Sequence, residues 1–406
     1  MKKLKYAVIL MDGMADEPIE VLGGKTPVAY ANTPTIDKMA VRSTIGMVHT
    51  IPEGCAKGSD TANLSVLGYN PQKYYFGRSP LEALSMGVTL KDTDVTFRTN
   101  VVTLSEEGAY EDKIILDHSA DEITTEEASL LIQAVEEALG NEVCKFYHGV
   151  SYRHLLVWDH GSRKVQLTPP HDILERCIKD YKPQGDHADE IWDFMKKSYD
   201  ILKDHPVNRA RKEKGLRPAN SIWIWGEGVK PQLPLFKEKY HVEGAVISAV
   251  DLIKGIGIGA GMTSIDVEGA TGNVHTNYEG KAEAAIKWLI KDNNDYVYVH
   301  LEGPDECGHR NELDNKVKAI ELIDEKIIKP IKEALDASGE AYRILVLPDH
   351  PTPLCLRTHT DDPVPYMIYE SGNNIVNKAN QYTEEFAKTT GIVIKEGYTL
   401  MDEFLK

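Results

Sequence analysis

The chain has 406 residues, of which 42% are hydrophobic and 27% charged, so it can bury a sizeable core and has the length of two domains. Its 46 lysines and arginines against 63 acidic residues give a formal charge of −17, which argues against nucleic acid or an anionic membrane as the main partner but permits a small anionic metabolite. Five scattered cysteines, none in a C-x-x-C pair, indicate free thiols and predict a cytoplasmic protein.

The first predicted element is a strand. The apolar run 6–11 follows a basic start and stops at Asp12, so it is too short for a signal peptide or a membrane span. Helical periodicity occurs later in the chain, over 282–290 and 313–335. Short apolar runs that also predict strands are 221–225, 244–250, 296–301 and 343–347. Strands alternating with helices predict an α/β fold with a mostly parallel sheet flanked by helices.

The middle of the chain has a different pattern. Residues 95–104 alternate between apolar and polar like a half-exposed strand. Thr124 begins a capping box for a helix that ends near Leu139. The runs 155–158 and 164–167 have the pattern of two hairpin strands. These elements predict an α+β arrangement that differs from the rest of the chain.

Domain boundaries follow from this change of pattern. A turn-rich stretch at 182–186 indicates that the α+β segment ends there. We therefore predict a smaller inserted α+β domain at residues 88–185. The larger domain is then built from two parts of the chain, 1–87 and 186–406, joined around the insert.

Acidic and imidazole side chains follow three of the predicted strands. Asp12 comes directly after the first strand, Asp305 and His309 follow the strand at 296–301, and Asp349 with His350 follows the last. In an open α/β sheet, ligands bind beyond the carboxyl ends of the strands, so we expect these side chains to converge. The i, i+4 spacing places Asp305 and His309 on one face of a helical turn.

A serine provides a candidate nucleophile. Ser59 precedes a helix-like stretch, where the first N–H groups of a helix would favour an anion. A free hydroxyl is a weak nucleophile at neutral pH, but a bound divalent cation lowers its pKa. The alternative is that Ser59 is only a helix cap.

The same residues have the composition of a metal site. Carboxylate oxygens and imidazole nitrogens suit Zn²⁺ or Mn²⁺. Three carboxylates and one serine alkoxide carry a charge that two divalent cations balance, which predicts a two-metal site with the ions about 3.5–4 Å apart. The predicted ligands are Asp12, Ser59, Asp305, His309, Asp349, His350 and His359.

Several ordered motifs resemble those of a known family. They are MDGMAD at 11–16, GSDTANLSVLGY at 58–69, PDECGH at 304–309, PDH at 348–350 and THTDDPVP at 358–365. As a set they resemble the alkaline-phosphatase superfamily and, more closely, the archaeal-type cofactor-independent phosphoglycerate mutases. The resemblance spans nearly the whole chain and implies an alkaline-phosphatase-like fold.

The resemblance also implies a reaction and its cofactors. Ser59 would take phosphate from 3-phosphoglycerate, and the phosphoserine would return it to the 2-hydroxyl of bound glycerate. Two divalent metal ions (Mn, Zn or Mg) would be needed, but no 2,3-bisphosphoglycerate. By the resemblance, one ion would be held by Asp12, Ser59, Asp349 and His350, and the other by Asp305, His309 and His359.

A mutase must retain glycerate between its two steps, so we expect the inserted domain to close over the metals and bind the carboxylate. The forked guanidinium of arginine suits carboxylate and phosphate. The candidate substrate-binding residues are Arg78, Arg98, His148, Arg153, His171, Asp172, Arg209 and Lys254. Asn63 stands where the bacterial form of the family has a histidine, and its role is open.

Other functions fit parts of the sequence. A homoserine kinase, which is suspected for some bacterial sequences of the archaeal type, or a phosphomonoesterase could use the same metals and the same serine. The stretch 255–260 fits the G-x-G-x-x-A pattern of a dinucleotide-dependent dehydrogenase. A metal-stabilised binding protein without catalysis is a further alternative. The full set of acids and histidines favours the mutase.

Overall fold

A computed structural model describes residues 4–373 and 376–406 of the chain. The chain forms two compact units. The larger unit comprises the chain up to Tyr75 together with Gln232–Lys406, and the smaller unit comprises Phe76–Pro231. Among the helices of the described residues, none has the length and apolar character that crossing a membrane requires.

The secondary structure alternates strands and helices in the larger unit and groups strands in the smaller one. The strands are β1 (Lys5–Met11), β2 (Ser43–Val48), β3 (Asp94–Leu104), β4 (Ile115–Asp117), β5 (Cys144–Tyr147), β6 (Arg153–Asp159), β7 (Val165–Gln166), β8 (Gln184–Gly185), β9 (Ser221–Val229), β10 (Gly244–Ile247), β11 (Thr263–Ile265), β12 (Tyr296–Leu301), β13 (Tyr342–Leu347), β14 (Val364–Glu370) and β15 (Val393–Ile394).

The α-helices range from one turn to about four turns. They are α1 (Pro27–Tyr30), α2 (Pro34–Ala40), α3 (Ser59–Val66), α4 (Pro71–Tyr74), α5 (Ser79–Ser85), α6 (Thr125–Leu139), α7 (Ala188–Leu202), α8 (Pro206–Glu213), α9 (Phe236–Tyr240), α10 (Asp251–Gly259), α11 (Tyr278–Ile286), α12 (Gly303–Arg310), α13 (Leu313–Ile323), α14 (Lys329–Ser338), α15 (Glu384–Thr389) and α16 (Leu400–Phe404). One π-helical turn, Lys287–Lys291, follows α11, and another, Asp324–Ile328, joins α13 to α14.

The larger unit is built on a sheet with the strand order β11-β10-β12-β1-β13-β14-β2-β15. The strands from β11 to β13 are parallel, whereas β14 is antiparallel to both β13 and β2. The register pairs Met11 with Leu301 and Leu10 with Leu347, so β1, β12 and β13 end at the same edge. The predicted α/β fold with a mostly parallel sheet is confirmed.

The core of the larger unit covers the central strands on both faces. Every residue of β1 is buried, as expected for a parallel strand between two others with helices on either side. α13, the π-helical turn and α14 form a continuous helix, and its apolar residues Ile320, Ile327 and Leu335 are buried in the core. This confirms the helix predicted over 313–335.

The smaller unit has an antiparallel sheet of order β4-β3-β6-β5, with β9 paired to the other side of β3. α5 packs on β3, where Ser79 Oγ donates a hydrogen bond to the Thr96 carbonyl at 3.1 Å. Nearly all of β3 is therefore buried. The prediction of a half-exposed strand at 95–104 was wrong, because α5 covers it and the flanking strands β6 and β9 come from distant parts of the sequence.

The smaller unit also extends beyond the predicted insert at 88–185. The run 221–225, predicted as a strand of the large parallel sheet, belongs instead to β9 and pairs antiparallel with β3, with Ile224 opposite Thr99. The smaller unit runs from Phe76 to Pro231. It therefore also contains α5, α7, α8 and β9.

The expected hairpin of 155–158 with 164–167 is absent from the smaller unit's described residues. β6, which contains the first run, pairs with β3 and β5. β7, in the second run, pairs with β8, which lies in the stretch 182–186 that was predicted as a boundary. The capping of α6 is as predicted, since Thr124 Oγ1 accepts a hydrogen bond from the Glu127 N–H at 3.3 Å.

We expect Ile9→Ala to lower the free energy of unfolding by about 2–5 kcal/mol, because truncating a buried aliphatic side chain loses transfer free energy and leaves a cavity. Ile9 is 0% exposed in the centre of β1, whereas Val21 is 79% exposed. Val21→Ala is the control and should change stability by less than about 0.5 kcal/mol. Urea unfolding measures both, and equal effects would contradict this account of the core.

Candidate active site

Three acids meet at the edge of the larger unit's sheet where β1, β12 and β13 end. Asp12 follows β1 directly, Asp305 lies in the first turn of α12, and Asp349 follows β13. The Asp349 Oδ1 atom accepts hydrogen bonds from the Gly13 N–H at 3.2 Å and the His350 N–H at 2.9 Å. The shared register of the strands therefore brings the acids together, as the sequence predicts.

Gly13 makes the tight turn after Asp12 possible. Its φ is +62°, in the region that favours glycine. A Cβ atom at this position would lie 2.6 Å from both Asp305 Cα and Thr352 Oγ1. Without a side chain at Gly13, ligand atoms of Asp12, Asp305 and His350 lie within 4.8 Å of one another.

One group of predicted ligands consists of Asp305, His309 and His359. The Nε2 atom of His309 is 3.3 Å from Asp305 Oδ2, and the Nε2 atom of His359 is 3.3 Å from Asp305 Oδ1. The two Nε2 atoms are 2.9 Å apart. The Nδ1 atoms face the carbonyls of Arg357 and Lys57, at 3.0 and 3.2 Å. Both imidazoles thus direct Nε2 to the same point.

The second group surrounds Ser59. Ser59 Oγ is 3.0 Å from His350 Nε2, which is also 3.7 Å from Asp12 Oδ1 and 3.4 Å from Asp349 Oδ2. Ser59 is the first residue of α3, after the cap residue Gly58, and its side chain bonds His350 instead of capping the helix. The simple helix-cap interpretation of Ser59 is therefore wrong.

Two contacts connect the groups. The ring of His350 stacks on that of His359 with centroids 3.8 Å apart. Thr352 Oγ1 donates a hydrogen bond to Asp305 Oδ1 at 2.5 Å and lies 3.3 Å from His350 Nδ1. The structure thus brings all the predicted ligands together in one continuous site.

The charges in this site perturb one another. Burial, reinforced by Asp349, raises the pKa of Asp12 well above its usual range. Burial would also raise the pKa of Asp305, but the His309 and His359 imidazoles hold it well below its usual range. Asp305 in turn raises the pKa of His309 to about 9. Burial lowers the pKa of His350, which favours its neutral form.

The residues fit divalent cations. Asp12 Oδ1 is buried and makes no hydrogen bond to any described residue. Leaving a buried polar atom unsatisfied costs about 1–3 kcal/mol, and more for a charged one. Carboxylate oxygens and imidazole nitrogens that converge on one point, as Asp305, His309 and His359 do, are a donor set for zinc or manganese.

Sequence reasoning missed His300. It lies within β12, and its Nε2 atom is 2.9 Å from Asp12 Oδ2, while Nδ1 is 3.2 Å from Ser248 Oγ. The signal was a single imidazole in an otherwise apolar run one residue from the end of the strand. Such a residue is easily assigned to the core, as it was here.

Asn63, whose role the sequence left open, is also part of the site. Its Nδ2 donates hydrogen bonds to the Ser59 carbonyl and to Asp349 Oδ2, both at 2.8 Å. Its Oδ1 accepts a hydrogen bond from the Tyr298 hydroxyl at 2.5 Å. Asn63 therefore links the first turn of α3 to Asp349.

Three of the predicted substrate-binding residues lie close together in the smaller unit. Arg98 Nε is 3.1 Å from Glu82 Oε2, and the guanidinium lies 4.2 Å over the Trp225 ring. Arg78 Nε is 3.4 Å from the other oxygen of Glu82. The His171 ring is 5.3 Å from Trp225. We call the basic and aromatic residues of this group, Arg78, Arg98, His171 and Trp225, the arginine cluster.

Arg153 and a residue missed by sequence reasoning, His118, lie beside the arginine cluster. The Arg153 guanidinium is 5.4 Å from the Tyr152 ring. The His118 ring is 5.6 Å from Tyr152 and 6.1 Å from His171. No motif distinguishes His118 in the sequence, so only the folded chain identifies it.

The other candidates are less closely grouped. His148 and Arg209 are exposed in the smaller unit. Asp172 is exposed beside His171, at 3.8 Å. Lys254 belongs to the larger unit, where its Nζ is 2.6 Å from Asp266 Oδ1. The structure does not bring these four residues to one place within a unit.

The glycines at 255–260 do not form a nucleotide-binding turn. They lie inside α10, which begins at Asp251, so the strand-to-helix turn precedes them. A Cβ on Gly257 would be 2.7 Å from Val246 Cγ2, so this glycine lets the helix pack closely on β10. The dehydrogenase alternative lacks its structural requirement.

Comparisons with known proteins find related sequences over nearly the whole chain. The family model for 2,3-bisphosphoglycerate-independent phosphoglycerate mutase matches residues 40–208. The enzyme of that name from Methanosarcina barkeri is 49% identical over 404 residues, which cover 99% of this chain and 100% of that protein. The one from Methanothrix thermoacetophila is 46% identical over 98% of each chain.

Two solved structures match the fold over nearly the whole chain. The PH0037 protein from Pyrococcus horikoshii matches with a TM-score of 0.83 and 31% identity, covering 100% of this chain and 97% of that chain. The cofactor-independent phosphoglycerate mutase from Thermoplasma acidophilum matches with a TM-score of 0.67 and 26% identity, covering 99% of both chains.

The sequence relationship defines an enzyme of the isomerase class. The chain belongs to the 2,3-bisphosphoglycerate-independent phosphoglycerate mutase family. The predicted family and class of enzyme are confirmed.

We expect the His309 imidazole of the chelator-treated protein to titrate near pH 9, because the hydrogen bond to the Asp305 carboxylate favours its protonated form. Its folded pKa lies above the unfolded value, so this stabilisation is complete below pH 6.5 and is lost as the pH rises through about 9. NMR titration of the ring measures the pKa. Asp305→Asn should return it toward 6.5, and no difference between the two proteins would contradict the pairing.

Proposed function

We propose that this chain interconverts 3-phosphoglycerate and 2-phosphoglycerate through a phosphoserine at Ser59. The observation that carries the proposal is the 3.0 Å contact between Ser59 Oγ and His350 Nε2 at the edge where the buried acids converge. Relatives named for this type of enzyme align with nearly the whole chain, which supports the same conclusion. The name of the family excludes 2,3-bisphosphoglycerate as a cofactor. Free cysteines fit a cytoplasmic location.

The hydrogen bonds assign the tautomer of His350. Thr352 Oγ1 donates its only proton to Asp305 Oδ1, so toward His350 Nδ1, at 3.3 Å, it can act only as an acceptor. Nδ1 therefore carries the ring proton. The lone pair of Nε2 then faces Ser59 and is available to accept its proton or to bind a cation.

α3 favours phosphate at Ser59. The first N–H groups of a helix and its dipole attract negative charge. Ser59 is partly exposed, so a substrate can reach it, and the hydrogen bond from Asn63 to the Ser59 carbonyl fixes the first turn. The nucleophile is therefore both accessible and rigidly held.

Two divalent cations, manganese, zinc or magnesium, are part of the proposal. When bound, such ions lower the pKa of the serine hydroxyl and offset the charge of the phosphate. The residues that would hold one ion are Asp12, Ser59, Asp349 and His350, and those that would hold the other are Asp305, His309 and His359.

The reaction has two balanced steps. In the first, Ser59 Oγ loses its proton and bonds to phosphorus, the bond from phosphorus to the 3-oxygen breaks, and the 3-oxygen takes a proton. In the second, the 2-hydroxyl loses a proton and bonds to phosphorus, the Ser59–phosphorus bond breaks, and Ser59 Oγ takes a proton back. Glycerate must stay bound between the steps, because attack by water would make the enzyme a phosphatase. We propose that the arginine cluster binds its carboxylate.

Incubation with 3-phosphoglycerate labelled on phosphorus, followed by an acid quench, should place the label on Ser59. Ser59→Ala should abolish both the label and mutase turnover, because it removes the atom that accepts phosphorus. Ser65→Ala is a matched control in the same helix. Ser65 is buried, and its Oγ has no hydrogen-bond partner among the described residues, so the variant should keep activity.

Three outcomes would overturn the proposal. The first is label on a residue other than Ser59 in the trapping experiment. The second is turnover of homoserine with a phosphoryl donor by a protein that leaves 3-phosphoglycerate unchanged, which would favour the kinase alternative. The third is release of inorganic phosphate without 2-phosphoglycerate, which would indicate a phosphomonoesterase.

We expect Arg98→Lys to raise KM for 3-phosphoglycerate at least about tenfold, because losing a charge-assisted hydrogen bond costs about 1.5–3 kcal/mol. Weaker retention of glycerate should also increase the release of inorganic phosphate. Arg217→Lys is the control in the same unit, since Arg217 is 53% exposed and pairs with Asp117 at 3.2 Å. Steady-state assays with phosphate detection measure both effects. Identical kinetics of the two variants would exclude Arg98 as a substrate ligand.

A further inference from the structure

We propose that His300 is a positioning residue that holds Asp12 through one carboxylate oxygen and leaves the other free for a cation. This inference rests on the proposed metal site. His300 and Asp12 are each 1% exposed, so their contact is shielded from water. The Nε2 atom of His300 is 2.9 Å from Asp12 Oδ2, within hydrogen-bond distance.

The position of the His300 ring is fixed by the sheet. His300 is opposite Leu10 in the β1–β12 register, two residues before Asp12. Its carbonyl accepts a hydrogen bond from the buried Lys281 Nζ at 3.0 Å. The contact therefore joins β12 to the residue that directly follows β1, two adjacent interior strands of the sheet, where a side chain has little freedom to shift.

The proton on the His300 ring can be assigned from its neighbours. Ser248 Oγ accepts a hydrogen bond from the Val250 N–H at 3.0 Å, so its own proton is free to donate to His300 Nδ1 at 3.2 Å. A neutral imidazole that accepts at Nδ1 carries its proton on Nε2. Nε2 therefore donates to Asp12 Oδ2, which as a carboxylate oxygen accepts.

His300 and His350 are consequently opposite tautomers with opposite roles toward Asp12. His350 carries its proton on Nδ1 and directs a lone pair into the site. The Nε2 atom of His300 carries the ring proton and has no lone pair to give to a cation. His300 is therefore not a metal ligand, although its distances to Asp12 and Asp349 would suit a ligand. It acts through Asp12 instead.

The consequence for Asp12 is a defined orientation. Oδ2 is engaged by His300, and Oδ1 is buried and makes no hydrogen bond to the part of the chain that the structure describes. Asp12 therefore presents a single oxygen, in a fixed direction, to a cation. Residues that orient metal-ligating carboxylates typically change metal affinity about 10–100-fold when they are mutated.

The test compares Mn²⁺ binding by His300→Leu and His300→Gln with that of the parent protein. Chelator-treated full-length protein is titrated with Mn²⁺, and free ion is counted by electron paramagnetic resonance. His300→Leu removes the donor and should weaken one Mn²⁺ site about 10–100-fold. In His300→Gln, the side-chain amide nitrogen replaces Nε2 as donor, and binding should stay close to that of the parent.

A control variant tests whether truncating any buried histidine would weaken Mn²⁺ binding. His154 is a histidine of the smaller unit, 3% exposed, and its Nδ1 accepts a hydrogen bond from the Gly149 N–H. His154→Leu should leave Mn²⁺ affinity unchanged. If His300→Leu fails to fold, Ser248→Ala is compared with His300→Gln instead. Ser248→Ala removes the hydroxyl that donates to His300 Nδ1, so the ring proton can move to Nδ1. Ser248→Ala should therefore weaken Mn²⁺ binding, whereas His300→Gln should not.

Three results would overturn the inference. Parent affinity in a folded His300→Leu protein would show that the contact does not position Asp12. Equal losses in His300→Leu and His300→Gln would show that His300 is itself a ligand. A parent protein that binds no Mn²⁺ would overturn the proposed metal site as well, so the two failures are distinguishable.

Discussion

Three carboxylates buried at one edge of a parallel sheet repel one another, and the larger unit is arranged around this repulsion. The parallel register ends β1, β12 and β13 together, which forces Asp12, Asp305 and Asp349 into proximity. Water cannot screen the charges there, because all three side chains are buried. Cations held at the free oxygens, as proposed, would remove this repulsion.

Each acid is held by a different kind of partner. Asp349 receives backbone N–H groups and the amide of Asn63, and Asp12 receives the ring of a buried histidine. Asp305 receives a threonine hydroxyl and faces two imidazoles. The carboxylate oxygens and imidazole nitrogens that these contacts leave free converge on one another. The chemistry of the site is thus determined as much by the atoms that are already bonded as by those that are free.

The sequence predicted the convergence of the three acids because one topological rule places them. An acid after a strand of a parallel sheet lies at the ligand-binding edge wherever the strand falls in the order. The strand with which a given strand pairs cannot be predicted from the local sequence in this way. The run 221–225 has the pattern of a buried strand in either sheet, and only the antiparallel match to β3 decides between them. His300 was missed for a related reason, since an imidazole inside an apolar run is identified only by its neighbour in space.

The position of β1 has a consequence for biosynthesis. Its neighbours in the sheet begin at Tyr296 and Tyr342, so β1 leaves the ribosome long before either strand it pairs with. The smaller unit, continuous from Phe76 to Pro231, has all its strands available much earlier. A nascent chain shorter than 359 residues also lacks His359. Ser59 is therefore synthesised early, whereas the proposed site around it can be completed only near the end of synthesis.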